Sequence, residues 1–106
     1  MIVLKVKTAK SLKEKIFGLI GKKRAEPLLI KTRFGIHTFF LKFPIDVIIL
    51  DKNYEVKDIK ESMQPNRIFI WNPLYNIVVE MPEKTISEKK IKIGDKIRII
   101  SLFDKS

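Results

Sequence analysis

The chain contains no cysteine, one histidine (His37), one tryptophan (Trp71), one glutamine (Gln64) and four glycines among its 106 residues. Without cysteine there is no disulfide, no thiolate nucleophile and no cysteine-ligated zinc. One histidine excludes a histidine-rich metal site. The longest apolar runs, such as Val47 to Leu50 between Asp46 and Asp51, have the length of a strand. Nothing approaches the roughly 20 apolar residues of a spanning helix. The first residues, Met1 to Lys7, are too short and too often interrupted by lysine for a secretory core of about 7 to 15 apolar residues. A cytoplasmic protein with no membrane partner is expected. Glycine-rich phosphate loops are also missing, because Gly18 and Gly21 fall at the end of a helical pattern rather than before one.

What is abundant is lysine and aliphatic residues. Lys plus Arg number 22 against 12 Asp plus Glu, a net charge of +10, and hydrophobic residues make up 45%. That balance describes a folded chain, and its length suits one domain over residues 1–106. Many lysines and few thermolabile residues suit a thermophilic source; an AT-rich genome gives the same bias.

Periodicity divides the chain. Ile2 to Val6 reads as a strand. Ser11 and Glu14 have capping-box spacing, and Leu12, Ile16, Leu19 and Ile20 form one helical stripe. Strands follow at Leu28–Ile30, Ile36–Phe43, Asp46–Asp51, Tyr54–Ile59, Arg67–Trp71, Asn76–Met81 and Lys96–Leu102. Asp46–Asp51 is apolar on both faces and should be central. Asn53 should take the positive φ of a tight turn. Thr85 and Glu88 repeat the capping-box spacing, and Gly94-Asp95 is a turn. The expected fold is mainly β, a compact antiparallel sheet or small barrel-like sandwich with two short helices.

Four segments carry a family resemblance. Gly18-Leu19-Ile20-Gly21 is similar to a Gly-Leu-Met-Gly element. Pro44 to Asp51 resembles a Pro-Leu-Asp-Ile-Ile-Phe-Leu-Asp strand, Val79 to Pro82 a Leu-Glu-Leu-Pro end, and Ile91 to Asp95 an Ile-Lys-Val-Gly-Asp turn. In this order they resemble the domain of unknown function 192 family of small prokaryotic proteins, over roughly residues 8 to 100. Gly35-Ile36-His37-Thr38-Phe39 is similar to its archaeal branch. The resemblance implies a compact β-rich fold and no activity. Lys84 and Lys90 stand where the family usually has glycine, and Ile20 and Leu41 where methionine is common. Lysine accepts positive φ less readily, so a different local turn is expected there.

Candidate chemistry is sparse. His37, Asp46 and Glu80 are the residues on which a hydrolase or isomerase would have to be built. If Phe43-Pro44 bends a hairpin, His37 faces Leu50, about four residues or on the order of 13 Å from Asp46. Asp46 reads better as a carboxylate that accepts backbone N–H groups and fixes the bend. Alternation puts Val78 and Glu80 on one strand face, from which Glu80 can reach solvent. No cofactor and no metal set is indicated. The leading expectation is a non-enzymatic binding module, with Phe40, Asp46, Trp71 and Glu80 lining a shallow apolar and acidic pocket for a small ligand or peptide. The alternative is weak, sequence-neutral nucleic-acid binding through Lys13, Lys15, Lys22, Lys23, Arg24, Lys89 and Lys90. Met1–Arg24 carries +7, Ala25–Glu83 −1 and Lys84–Ser106 +4. The basic excess thus lies at the two ends.

Overall fold

The all-apolar stretch Ile45–Leu50, with one carboxylate inside it, forms a strand in which every residue is buried. Alternation sends Ile45, Val47 and Ile49 into one core, and Ile48 and Leu50 into another. Such a strand needs a neighbour on each edge and cover on each face. The computed structural model describes residues 2–8, 25–33, 35–39 and 41–102. In chain order its strands are β1 (Ile2–Thr8), β2 (Leu28–Lys31), β3 (Ile36–His37), β4 (Ile45–Leu50), β5 (Val56–Met63), β6 (Ile68–Phe69), β7 (Ile77–Pro82) and β8 (Ile97–Ser101). One short helix, α1 (Thr85–Lys89), separates the last two.

Six strands form one sheet in the order β5-β4-β7-β2-β1-β8, curled into a half-barrel. The mainly β class is as expected. Within it, β1 pairs in parallel with both β2 and β8, while the other three pairings are antiparallel. The edges meet at a bridge between Glu55 and Lys96. Three backbone bonds fasten them there: Val56 N–H to Asp95 O, Gly94 N–H to Val56 O, and Ile97 N–H to Tyr54 O, at 2.8–2.9 Å.

The second sheet is a two-stranded ribbon, β3 with β6. Its inward residues, Ile36 and Phe69, belong to the first core, and its outward pair is His37 and Ile68. The long strand expected over Ile36–Phe43 is therefore cut short. After His37 the chain turns, with Leu41 N–H bonded to Thr38 O, and β3 pairs with β6 instead of with β4. Thr38 holds the turn: its buried hydroxyl donates to Gln64 O at 2.6 Å and accepts from Arg67 N–H at 2.9 Å.

Local turn chemistry departs from expectation at three places. Tyr54, not Asn53, takes the left-handed conformation, at φ 61. Thr85 does not cap α1, since its hydroxyl donates to Pro82 O. Lys84 and Lys90 keep the left-handed geometry that glycine favours, at φ 76 and 55. Lysine thus holds there a backbone that glycine adopts without strain. The helix expected over Ser11–Gly21 lies outside the described residues.

Gly35 and Gly94 both sit at positive φ, 93 and 98. A Cβ on Gly35 would lie 2.8 Å from Phe69 O, whereas one on Gly94 would meet nothing within 4 Å. Gly35→Ala should therefore cost more than conformational strain alone, on the order of 2–3 kcal/mol. Gly94→Ala should cost about 1 kcal/mol. Urea unfolding of the two variants checks the difference. Near the seam, Asp51 accepts N–H bonds from Asn53 and Glu55, both 2.9 Å. The Glu55 bond chiefly holds its carboxyl below the ordinary 3.8, burial opposing, with Lys57 and Lys96 adding attraction. A lowered folded-state value stabilises above the unfolded value and is lost as pH falls through the folded one. Thermal melts should thus lose stability below about pH 3.8 more steeply in the parent than in Asp51→Asn.

Candidate functional site

Asp46 is fully buried on β4, on the face that carries Ile48 and Leu50. A carboxylate in that position needs donors. It has one for each oxygen: Ser62 N–H to Oδ1 at 2.9 Å and Ile86 N–H to Oδ2 at 2.8 Å. Ser62 offers its N–H from a left-handed residue, φ 49, close to the register shift between Ile45 and Val47. Ile86 is the second residue of α1, whose N-cap Lys84 makes no side-chain bond to the helix. Asp46 therefore caps α1 from a strand 40 residues earlier in the chain. It satisfies an orphan N–H and places negative charge at the helix start.

Glu80 is also buried, 1% exposed, so it does not reach solvent as strand alternation allowed. The physical reason is that β7 lies between β4 and β2, with both faces covered. Its cross-strand neighbours are Val47 and Leu28, both in the first core. Met81, not Glu80, pairs with Asp46. The two carboxylates therefore project from opposite faces of the sheet and do not converge. His37 stands apart from both, on the outer face of the ribbon. Its Nδ1 accepts Phe39 N–H at 3.3 Å, and its ring stacks on Phe39 with centroids 4.9 Å apart. Trp71 is buried against Phe69, and its indole N–H donates to Tyr75 O at 2.7 Å. Phe40, Lys13, Lys15, Lys22, Lys23 and Arg24 lie outside the described residues. Lys89 and Lys90 are exposed at the end of α1.

The surface with unspent contact capacity is the outside of the ribbon. Phe39, Ile68, Ile70 and Leu74 are 40%, 65%, 72% and 75% exposed. Ile68 is the cross-strand partner of His37, and Ile70 follows two residues on, packed beside Gly35. Leu74 tips the next turn. Asn72 closes that turn by accepting Leu74 N–H at 3.0 Å, and Arg33 ties it down by donating to Pro73 O at 3.0 Å. The sequence segments that carry these residues, 31–44 and 64–76, contain Lys31, Arg33, Lys42 and Arg67 and no Asp or Glu. Ile68, Ile70, Leu74 and Thr38 escaped sequence reasoning. The one available signal was this local lack of acids, which the near-neutral total of the middle segment conceals.

The family model for DUF192, described as an uncharacterized ACR, matches residues 2–99. The chain is 34% identical to a UPF0127 protein of Pyrococcus horikoshii, covering 88% of this chain and 85% of that one. It is 31% identical to a UPF0127 protein of Pyrococcus abyssi, covering 92% and 87%. Among solved structures, a protein of unknown function from Novosphingobium aromaticivorans superposes with TM-score 0.74 at 18% identity, covering 86% of this chain and 71% of that one. At that identity the likeness is one of fold. No helix among the described residues is long and apolar enough to cross a membrane.

Removing the Asp46 carboxylate leaves two backbone donors without their acceptor. Asp46→Ala should destabilise by about 3 kcal/mol, and Asp46→Asn by about half as much because one oxygen remains. Denaturant melts report both. In amide exchange, Ile86 N–H should lose protection in the alanine variant before the strands do.

Proposed function

The chain belongs to the DUF192 family, and we propose that it is a non-enzymatic binding module. Its binding face is the outside of the β3–β6 ribbon. Its partner is an apolar peptide segment flanked by acidic residues. The observation that carries this reading is the grouping of four exposed apolar side chains on segments that carry four basic residues and no acid. Exposed apolar side chains grouped in this way mark interaction surfaces. The basic rim selects the sign of the partner's charge and speeds its approach. A second copy of the chain would bring the same four basic residues to the contact, so self-association through this face is disfavoured.

The ribbon also has the rigidity a binding face needs. Thr38 fixes it to the Gln64–Arg67 loop, and Ile36 and Phe69 seat it on the core. Little ordering entropy is then lost when a partner binds. A catalytic reading draws no support from the same geometry. Both Asp46 oxygens are engaged by backbone donors, Glu80 faces the opposite core, and His37 belongs to the ribbon.

The test is an NMR titration with a short peptide of alternating leucine and glutamate. Backbone shifts should move at His37, Phe39, Ile68, Ile70 and Leu74. Ile70→Ser combined with Leu74→Ser should weaken binding at least about tenfold, the value of roughly 1.4 kcal/mol of lost apolar contact, with little change in melting temperature. Equal binding of a leucine and lysine peptide, or shifts confined to other surfaces, would overturn the proposal.

A further inference from the structure

The second basic region of the molecule shares no residue with the ribbon. A cleft of about 310 Å³ opens between the start of β1 and the segment that links α1 to β8. Ile2, Lys89, Lys90, Lys92, Asp95 and Lys96 line it. Four lysines and one carboxylate thus line it. That carboxylate is already in use, since Asp95 Oδ2 accepts Lys92 N–H at 2.9 Å. Lys57 pairs with Asp51 and Glu55, while Lys89, Lys90 and Lys92 are exposed and free to take a ligand's charge. An adjoining cleft of about 350 Å³ shares Lys89 and is lined otherwise by Val3, Leu4, Lys5 and Met81. One concavity is cationic. Its neighbour is mainly apolar.

The backbone adds an independent observation. α1 ends with Ile91 N–H bonded to Ile86 O at 2.9 Å, which puts Lys90 in the left-handed position of the helix stop. Glycine is the residue that fits there without strain. Here a lysine holds φ 55, ψ 44, and its side chain lines the cleft. Strained residues of this kind collect at functional sites, where the side chain is needed in spite of the backbone it requires.

We propose that this double cleft binds a phosphate ester bearing a planar apolar group, the repeating unit of a single-stranded nucleic acid. The lysines take the phosphate, and the apolar neighbour takes the base. This goes beyond the ribbon reading and does not depend on it. Lysine suits the role because it supplies point charge to phosphate without reading base edges. Binding is therefore indifferent to sequence and strongly dependent on salt.

The experiment uses the full chain, a fluorescein-labelled oligo-dT strand and anisotropy at a series of salt concentrations. Each phosphate contact on a single strand contributes a slope of about −0.7 in log K against log salt. The four cleft lysines should give a slope of roughly −3. Lys90→Gly should reduce the slope by about 0.7 and leave the melting temperature equal or higher, since glycine relieves the strain. Changing Lys89, Lys90, Lys92 and Lys96 together to Gln should abolish binding, whereas the Ile70→Ser, Leu74→Ser variant should bind as the parent does. Competition by adenosine monophosphate at matched phosphate concentration identifies a free nucleotide as the ligand; competition by oligonucleotide alone identifies a strand. Three results overturn the proposal: no binding at low salt, a slope unchanged in the quadruple variant, or a lower melting temperature for Lys90→Gly.

Discussion

One carboxylate sets the arrangement of the second core. Asp46 holds β5 through Ser62 and α1 through Ile86, the first bond part-buried and the second buried. An ionised group is costly in such a place unless its oxygens are matched by donors, and here each oxygen has one. The helix benefits most. Five residues are too few to be stable alone, and the first turn has no side-chain cap of its own. Asp46 provides the cap, while Ile86 and the following Ile91 anchor the helix on β7 and β1 through the second core. Where α1 ends is then fixed, and with it the direction of Lys89, Lys90 and the turn that leads into β8.

That dependence explains why a residue resembling a catalytic acid is structural. Local sequence told much of the story: a proline, an apolar residue, an acid, then a buried run. The preference for Asp46 as an acceptor of backbone N–H groups followed from it. The identity of the donors did not, because Ser62 and Ile86 lie 16 and 40 residues away. The same limit applied to Glu80. Alternation correctly grouped it with Val78, but which face of β7 meets which face of β4 is a matter of register. The pairs Val47 with Glu80 and Asp46 with Met81 decide it. Register is set by the packed sheet as a whole and is not encoded in either strand alone.

Strands with strong period-two or fully apolar patterns were legible: β1, β2, β4, β7 and β8 fall within a few residues of their expected places. The failures have a common cause. Ile36–Phe43 reads as one strand because every residue favours extended structure, yet Thr38 finds better partners across the chain in Gln64 and Arg67. The parallel pairing of β1 with β2 and β8 was equally hidden, since a parallel neighbour leaves no hairpin turn in the sequence. Thr85 and Glu88 had the spacing of a cap, but Asp46 already occupied that end of the helix. In each case a long-range hydrogen bond replaced a local one of the same kind.

Charge shows most clearly how far a segment sum can mislead. Residues 25–83 total −1 and read as neutral ground between two basic ends. That neutrality is uneven along the chain. The acids Asp51, Glu55, Asp58 and Glu61 lie on β5 and the turn before it, among Lys52, Lys57 and Lys60, whereas residues 31–44 and 64–76 carry four basic residues and no acid. Screening in physiological salt confines each charge to about 8 Å, so a partner senses the local set and not the segment total. The segments around the ribbon are consequently basic, although the larger segment that contains them is not. The lysine cleft follows the same rule at the other end of the scale. Only part of the C-terminal excess lines it, at the end of α1 and the turn that follows. Net charge locates neither surface; the strand order and the end of one short helix do.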